Sequence, residues 1–152
     1  MARAWRIVKE KHAATAFTGE GASRAGGRWN SRGTAVVYTS STKSLAALEL
    51  LVHLNPPVFF RYVVFAIEFA DELIHQFPAE ALPAGWSVEP PGPTTKAIGD
   101  QWVRASRSAV LAVPSVIVPG EPNLLLNPAH ADFKSIAIGK PEPFSFDPRL
   151  LA

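Results

Sequence analysis

Residues 58–69 read Val-Phe-Phe-Arg-Tyr-Val-Val-Phe-Ala-Ile-Glu-Phe. The run is dense in β-branched and aromatic side chains and follows Asn55-Pro56-Pro57, which is the pattern of a strand. Phe59, Val63, Phe65, Ile67 and Phe69 alternate onto one face, with Arg61 among them, and the opposite face is also apolar. A strand apolar on both sides must be covered on both sides. The chain therefore has to raise a sheet with packed layers on each face, and this strand is expected near its centre.

The rest of the chain supplies that sheet in short pieces, because 14 prolines and 10 glycines interrupt it. Alternation predicts a first strand over 4–8, with Arg6 facing opposite Trp5. Residues 12–24 read as a long irregular segment, and loops of that kind are often functional. A strand over 35–39 follows. Ser40, Ser41 and Thr42 then offer N-caps for a helix over 44–53, ended by Asn55-Pro56-Pro57. Leu45, Leu48 and Val52 are expected on its apolar face. A helical turn is expected at 71–75, and a surface loop at 78–95. A helix over 96–106 is capped by Thr94 or Thr95. Strands are expected over 109–113, bent at Pro114 and resumed over 116–118, then over 123–127, 135–138 and 143–146. Residues 129–133 read as a turn or short helix, and the segment from Asp147 as a terminal turn. The regular strand–helix alternation of a doubly wound sheet is missing. The expectation is an α+β fold: a compact single domain over 1–152 with a mixed, mainly antiparallel sheet.

Composition narrows function by exclusion. No run approaches the ~20 apolar residues of a membrane helix, and no apolar signal segment follows the charged start. A cytoplasmic location is the simplest expectation. Zero cysteines remove disulfides, thiolate metal sites and a cysteine nucleophile. The histidines at 12, 53, 75 and 130 show no HxxxH or HExxH spacing, so no metal is expected. Net charge is only +2, yet residues 1–53 hold eight Lys/Arg against three Asp/Glu. That asymmetry suits an anionic ligand and is too sparse for a dedicated nucleic-acid binder.

Four segments carry candidate chemistry. Gly26-Gly27-Arg28-Trp29-Asn30-Ser31-Arg32-Gly33 is a glycine-rich loop without the spacing of a dinucleotide fingerprint or a phosphate loop. An arginine held by a tight turn can grip a phosphate bidentately, or it can be a solvated surface charge. Tyr38 ends the strand after this loop and either stacks on a ligand ring or packs in the sheet. Glu49 lies within Leu-Ala-Ala-Leu-Glu-Leu-Leu-Val. A carboxylate among apolar neighbours needs a partner, either a substrate hydroxyl and a developing positive charge or a structural ion pair. Ser115 follows the bend at Pro114, and Glu121 and Asn123 can reach the same cleft. No His–Asp pair at triad spacing supports a serine nucleophile.

The order of these segments is more specific than any one of them. Gly-Gly-Arg-Trp-Asn-Ser-Arg-Gly, then Val-Val-Tyr-Thr-Ser, then Leu-Ala-Ala-Leu-Glu-Leu-Leu-Val-His resembles the RES-domain family. So do Val113-Pro-Ser-Val-Ile-Val-Pro119, Glu121-Pro-Asn123, Leu125-Leu-Asn-Pro-Ala-His130 and Phe146-Asp-Pro-Arg-Leu150. The family's arginine, glutamate and serine map to Arg28, Glu49 and Ser115, and its strand tyrosine to Tyr38. The resemblance implies a toxin of a type II toxin–antitoxin pair with an ADP-ribosyltransferase-like fold and NAD as its substrate. It implies an Xre-like helix-turn-helix antitoxin that covers the active site and carries the DNA contact. NAD loses nicotinamide through a cationic, oxocarbenium-like sugar. On that chemistry Glu49 stabilises the developing charge, Arg28 holds the diphosphate, Tyr38 stacks on nicotinamide or ribose, Ser115 orients the ribose or the carboxamide, and Asn123 joins Arg28 and Tyr38 as a substrate-binding residue. Water, phosphate or a protein side chain as acceptor would give a glycohydrolase, a phosphorylase or an ADP-ribosyltransferase. A domain that holds a nucleotide without turning it over is the non-catalytic alternative.

Overall fold

The apolar run near residue 60 becomes a strand because its two faces are claimed by two different cores. In the computed structural model, which describes residues 1–54 and 60–151, β3 (Tyr62–Phe69) pairs with β1 (Ala2–Lys9). The register is antiparallel from Ala2↔Phe69 to Lys9↔Tyr62. Phe60 and Arg61 precede the strand, and the proposed helix stop at 55–57 lies outside the described residues. Also in the sheet are β2 (Val37–Ser40), β4 (Ile74–Gln76), β5 (Val110–Pro114), β6 (Pro122–Leu126), β7 (Ala137–Ile138) and β8 (Glu142–Phe144). The order is β4-β5-β6-β2-β1-β3-β7, with β8 also on β3. Only β4 and β5 run parallel among these pairings. The α+β, mainly antiparallel expectation holds. The central strand is β2, however, and β3 lies two places from it. No described helix is long and apolar enough to cross a membrane.

On one face, Ala4, Val37, Val63, Phe65, Ile67, Phe69, Val110, Ala112, Leu124 and Leu126 form a core closed by Ala16, Phe17, Phe133 and Ile136. Phe17 meets Phe65 edge-on, with centroids 5.0 Å apart. Burying each of these large side chains contributes about 1.5–3 kcal/mol. On the other face the cover is split in two. Ile7, Tyr62 and Val64 pack under Ala46 of α2 (Lys43–Leu51) and against Phe146. Leu111, Val113 and Leu125 pack with Trp29, Val36 and Trp102 of α3 (Pro93–Ala105). Between these two apolar clusters lies the end of β2, where Tyr38 and Ser40 face the same side as Asn123 of β6.

Several local expectations change. Residues 12–24 are not irregular throughout: a 3-10 turn spans Glu10–Thr15, and α1 covers Glu20–Ala25. The turn at 71–75 is a 3-10 turn over Asp71–Leu73 that feeds β4. Residues 116–118 do not resume a strand but bend, because the Ser115 hydroxyl takes the N–H groups of Ile117 and Val118. Neither Thr94 nor Thr95 caps α3: Gly92 is the N-cap, Pro93 opens the helix, and Thr95 is buried inside it. On α2, Leu45 and Ala46 are buried, whereas Leu48 and Val52 are exposed. The helix tilts its small residues towards β1 and leaves the expected apolar stripe partly in solvent.

Candidate active site

Glu49 is placed by α2, whose N-cap Thr42 accepts from Leu45 N and so fixes where the helix begins. The carboxylate is half-buried. Its Oε1 accepts from Ser115 Oγ at 2.8 Å and from Asn123 Nδ2 at 2.8 Å. Ser115 is itself held, since its Oγ accepts the Ile117 and Val118 N–H groups. With those lone pairs used, its proton goes to Glu49. Asn123 is held from behind by Ser40, whose Oγ donates to Asn123 Oδ1 at 2.7 Å. Both donors converge on one carboxylate oxygen. Among the described residues no donor reaches Oε2.

The Gly26–Gly33 loop is clamped by α3. Lys96 Nζ donates to Gly27 O at 2.7 Å, and Asp100 accepts from Ser31 N at 2.8 Å. A Cβ on Gly99, between those two contacts, would stand 1.5 Å from Trp29 O. Burial raises the Asp100 pKa, but hydrogen bonds from Ser31 and Thr34 and the charge of Arg104 outweigh it, so the net shift is downward. From the sheet side, Tyr38 Oη accepts from Trp29 N and donates to Asn30 Oδ1 at 2.6 Å. Burial, chiefly, pushes this phenol well above its ordinary pKa. A Cβ on Gly27 would come within 2.7 Å of Tyr38 Oη, so that glycine makes room for the tyrosine.

Arg28 is not left free. Its Nη1 donates to Trp86 O and Val88 O at 2.9 and 2.8 Å, and its Nη2 to Glu89 at 2.6 Å. The expected diphosphate grip is thus taken up by the 86–89 segment. Glu89 is largely exposed and Arg28 is mostly covered, so the carboxylate is the exchangeable member. Glu49, Ser115 and Asn123 meet directly. Arg28 and Tyr38 belong to the loop and its support, and touch none of the three through a hydrogen bond among the described residues.

Two supports were not singled out as site residues by sequence reasoning. Ser40 was read only as a cap candidate, and its pairing opposite Asn123 is set by the β2–β6 register. Arg6 lies on the other face of the sheet and donates to Ala16 O at 2.7 Å and Tyr38 O at 2.8 Å. β1 and β2 share a single register pair, Trp5↔Ser40, and the guanidinium adds a further link between them at Tyr38 O. Burial lowers its pKa to about 10, and it stays charged at neutral pH. An arginine beside an aromatic in a first strand was the available signal.

A family model described as the RES domain matches residues 3–147. The chain belongs to the RES family. Among curated relatives, this RES domain is 44% identical over 155 residues to the Prs ADP-ribosylating toxin of Sphingobium sp. (strain YBL2), covering 97% of this chain and 95% of that one. It is 41% identical over 148 residues to Toxin Res of Yersinia enterocolitica, covering 96% and 97%. Toxin Res of Pseudomonas putida is 36% identical over 149 residues, with 96% and 97% covered. Among solved structures, the RES domain superposes on a chain of the M. tuberculosis MbcT–MbcA toxin–antitoxin complex. The TM-score is 0.75 at 17% identity, covering 95% of this chain and 84% of that one, and the likeness is one of fold. By family, this RES domain is a toxin.

Proposed function

We propose that this RES domain is the toxin of a toxin–antitoxin pair that cleaves the nicotinamide–ribose bond of NAD and depletes the cytoplasmic pool. The observation that carries the reading is the Glu49 carboxylate, with Oε1 fixed by Ser115 and Asn123 and Oε2 without a donor among the described residues. As the C–N bond breaks, the electron pair leaves with nicotinamide, which becomes neutral. Positive charge develops on the ribose C1′ and ring oxygen. A preorganised carboxylate facing the ribose stabilises that charge without having to reorient. It also accepts a hydrogen bond from a ribose hydroxyl. Arg28 binds the diphosphate after exchanging Glu89 for it, and Tyr38 holds the loop that forms this wall. Asn123 and Ser115 act on the ribose through Glu49. An Xre-like antitoxin is the expected partner and neutralises the toxin by covering this cleft.

A second reading, transfer of ADP-ribose to a protein, is favoured by the name of the 44% identical relative. Both readings share bond cleavage and differ in the acceptor. Purified protein is incubated with NAD, with and without inorganic phosphate, and the products are identified. Labelled NAD with cell lysate tests protein transfer. Release of nicotinamide is expected in each case, and Glu49→Gln is expected to reduce it by about 10²–10³. Gln keeps an oxygen for both donors, so folding should be intact. Native nicotinamide release by a folded Glu49→Gln protein overturns the assignment.

A further inference from the structure

We propose that Ser40 is a positioning residue for Glu49, acting through the amide of Asn123. The proposal rests on the reading of Glu49 as the group that meets the ribose. Ser40 is only 3% exposed, at the last position of β2, and the ladder makes Ser40 and Asn123 direct partners. Its Oγ donates to Asn123 Oδ1 at 2.7 Å, and Asn123 Nδ2 donates to Glu49 Oε1 at 2.8 Å. A carboxylate only accepts, so Asn123 must present its NH₂ to Glu49 and turn its carbonyl oxygen away. That oxygen then needs a donor, and the Ser40 hydroxyl is the donor it has. The two arms that hold Oε1 are unequal. Ser115 is locked by two backbone N–H groups of its own turn. Asn123 depends on one serine.

Removing the Ser40 hydroxyl leaves Oδ1 without that donor and frees the amide to rotate. Glu49 then keeps one fixed contact in place of two, and its other oxygen loses its aim. The consequence falls on the chemical step rather than on NAD binding, because Arg28 and the loop wall are untouched. Ser40→Ala should lower kcat by roughly tenfold, a loss of the size expected when a catalytic group is slightly misplaced, with KM within about twofold. Ser40→Thr, which retains the hydroxyl, should recover most of the rate.

The test compares the native chain, Ser40→Ala, Asn123→Ala and the double variant, each checked by circular dichroism. Nicotinamide release and the side-chain ¹⁵N–¹H₂ signals are both followed. If Ser40 works through Asn123, the double variant is no slower than Asn123→Ala alone. The Asn123 amide pair, identified by its loss in Asn123→Ala, should shift or broaden in Ser40→Ala, while the Asn30 and Asn127 pairs stay in place. A native kcat in folded Ser40→Ala, a double variant slower by the product of the two single losses, or an unmoved Asn123 amide overturns the proposal. If the native chain leaves NAD intact, the NAD reading fails instead. The amide signals then decide by themselves whether Ser40 fixes the Asn123–Glu49 pair.

Discussion

Gly99→Ala sets two opposing effects against each other, and the structure decides which wins. In a helix interior, alanine is favoured over glycine by about 1 kcal/mol, so propensity alone predicts a more stable protein. The added Cβ, however, would stand 1.5 Å from Trp29 O. Restoring even a tight 3.0 Å contact requires the loop and α3 to part by about 1.5 Å. The two bonds that flank Gly99, Lys96 to Gly27 O at 2.7 Å and Ser31 N to Asp100 at 2.8 Å, would stretch to about 4 Å, beyond hydrogen-bonding range. Bonds to charged groups contribute about 1.5–3 kcal/mol each, and these half-buried ones belong at the lower end. The loss is then roughly 3 kcal/mol, and the net cost about 2 kcal/mol after the gain in propensity. For a chain of this size that lowers Tm by roughly 4–8 °C. Thermal and urea melts followed by circular dichroism measure it. A Gly99→Ala protein that melts at or above the native temperature refutes the claim that α3 clamps the loop through this contact.

On the proposed role of Arg28 in holding the diphosphate, Glu89→Gln removes a competing anion, and KM for NAD should fall severalfold in steady-state assays. Stability should change by less than about 0.5 kcal/mol, because Glu89 is largely exposed and Arg28 keeps its bonds to Trp86 O and Val88 O. An unchanged or higher KM moves the diphosphate away from Arg28. Asp100→Asn should change the pH dependence of stability. The folded Asp100 carboxyl titrates below its unfolded value, so its contribution is present above the unfolded pKa and fades as pH falls through the lowered one. The native chain should therefore exceed Asp100→Asn in denaturation free energy at neutral pH and approach it in acid. A gap that widens in acid contradicts the Ser31 contact.

The long strands and helices were legible because their patterns agree with their environments. β3 carries an apolar residue on nearly every position and is buried on both faces. α2 and α3 begin within a few residues of the expected starts. What was not legible depends on partners distant in sequence or on single hydroxyls. β4 is three residues long and exists because β5 lies beside it in parallel. α1 is a six-residue helix with Gly19 as N-cap and Gly26 as C-cap, too short to show a period. The apolar residues at 116–118 look like a strand, yet one serine side chain turns them. At the site, Glu49, Ser115 and Asn123 could be nominated from their positions. The engagement of Arg28 with Trp86, Val88 and Glu89 spans about sixty residues, and no local signal announces it. Nor does any local signal announce that Gly27 makes room for the Tyr38 hydroxyl.

β6 comes late in the chain but near the middle of the sheet, between β5 and β2. A ribosome that has not yet released residues 122–126 has produced a chain whose β2 and β5 have no shared neighbour to join them. Two raw edges then stand where the sheet should be continuous, a state prone to stray pairing. Asn123 arrives on the same strand that closes this gap. Whatever chemistry the cleft performs, a truncated or stalled copy lacks both the closing strand and one of the two fixed contacts of Glu49. Joining the two parts of the sheet and fixing the Glu49 carboxylate are therefore one event in synthesis.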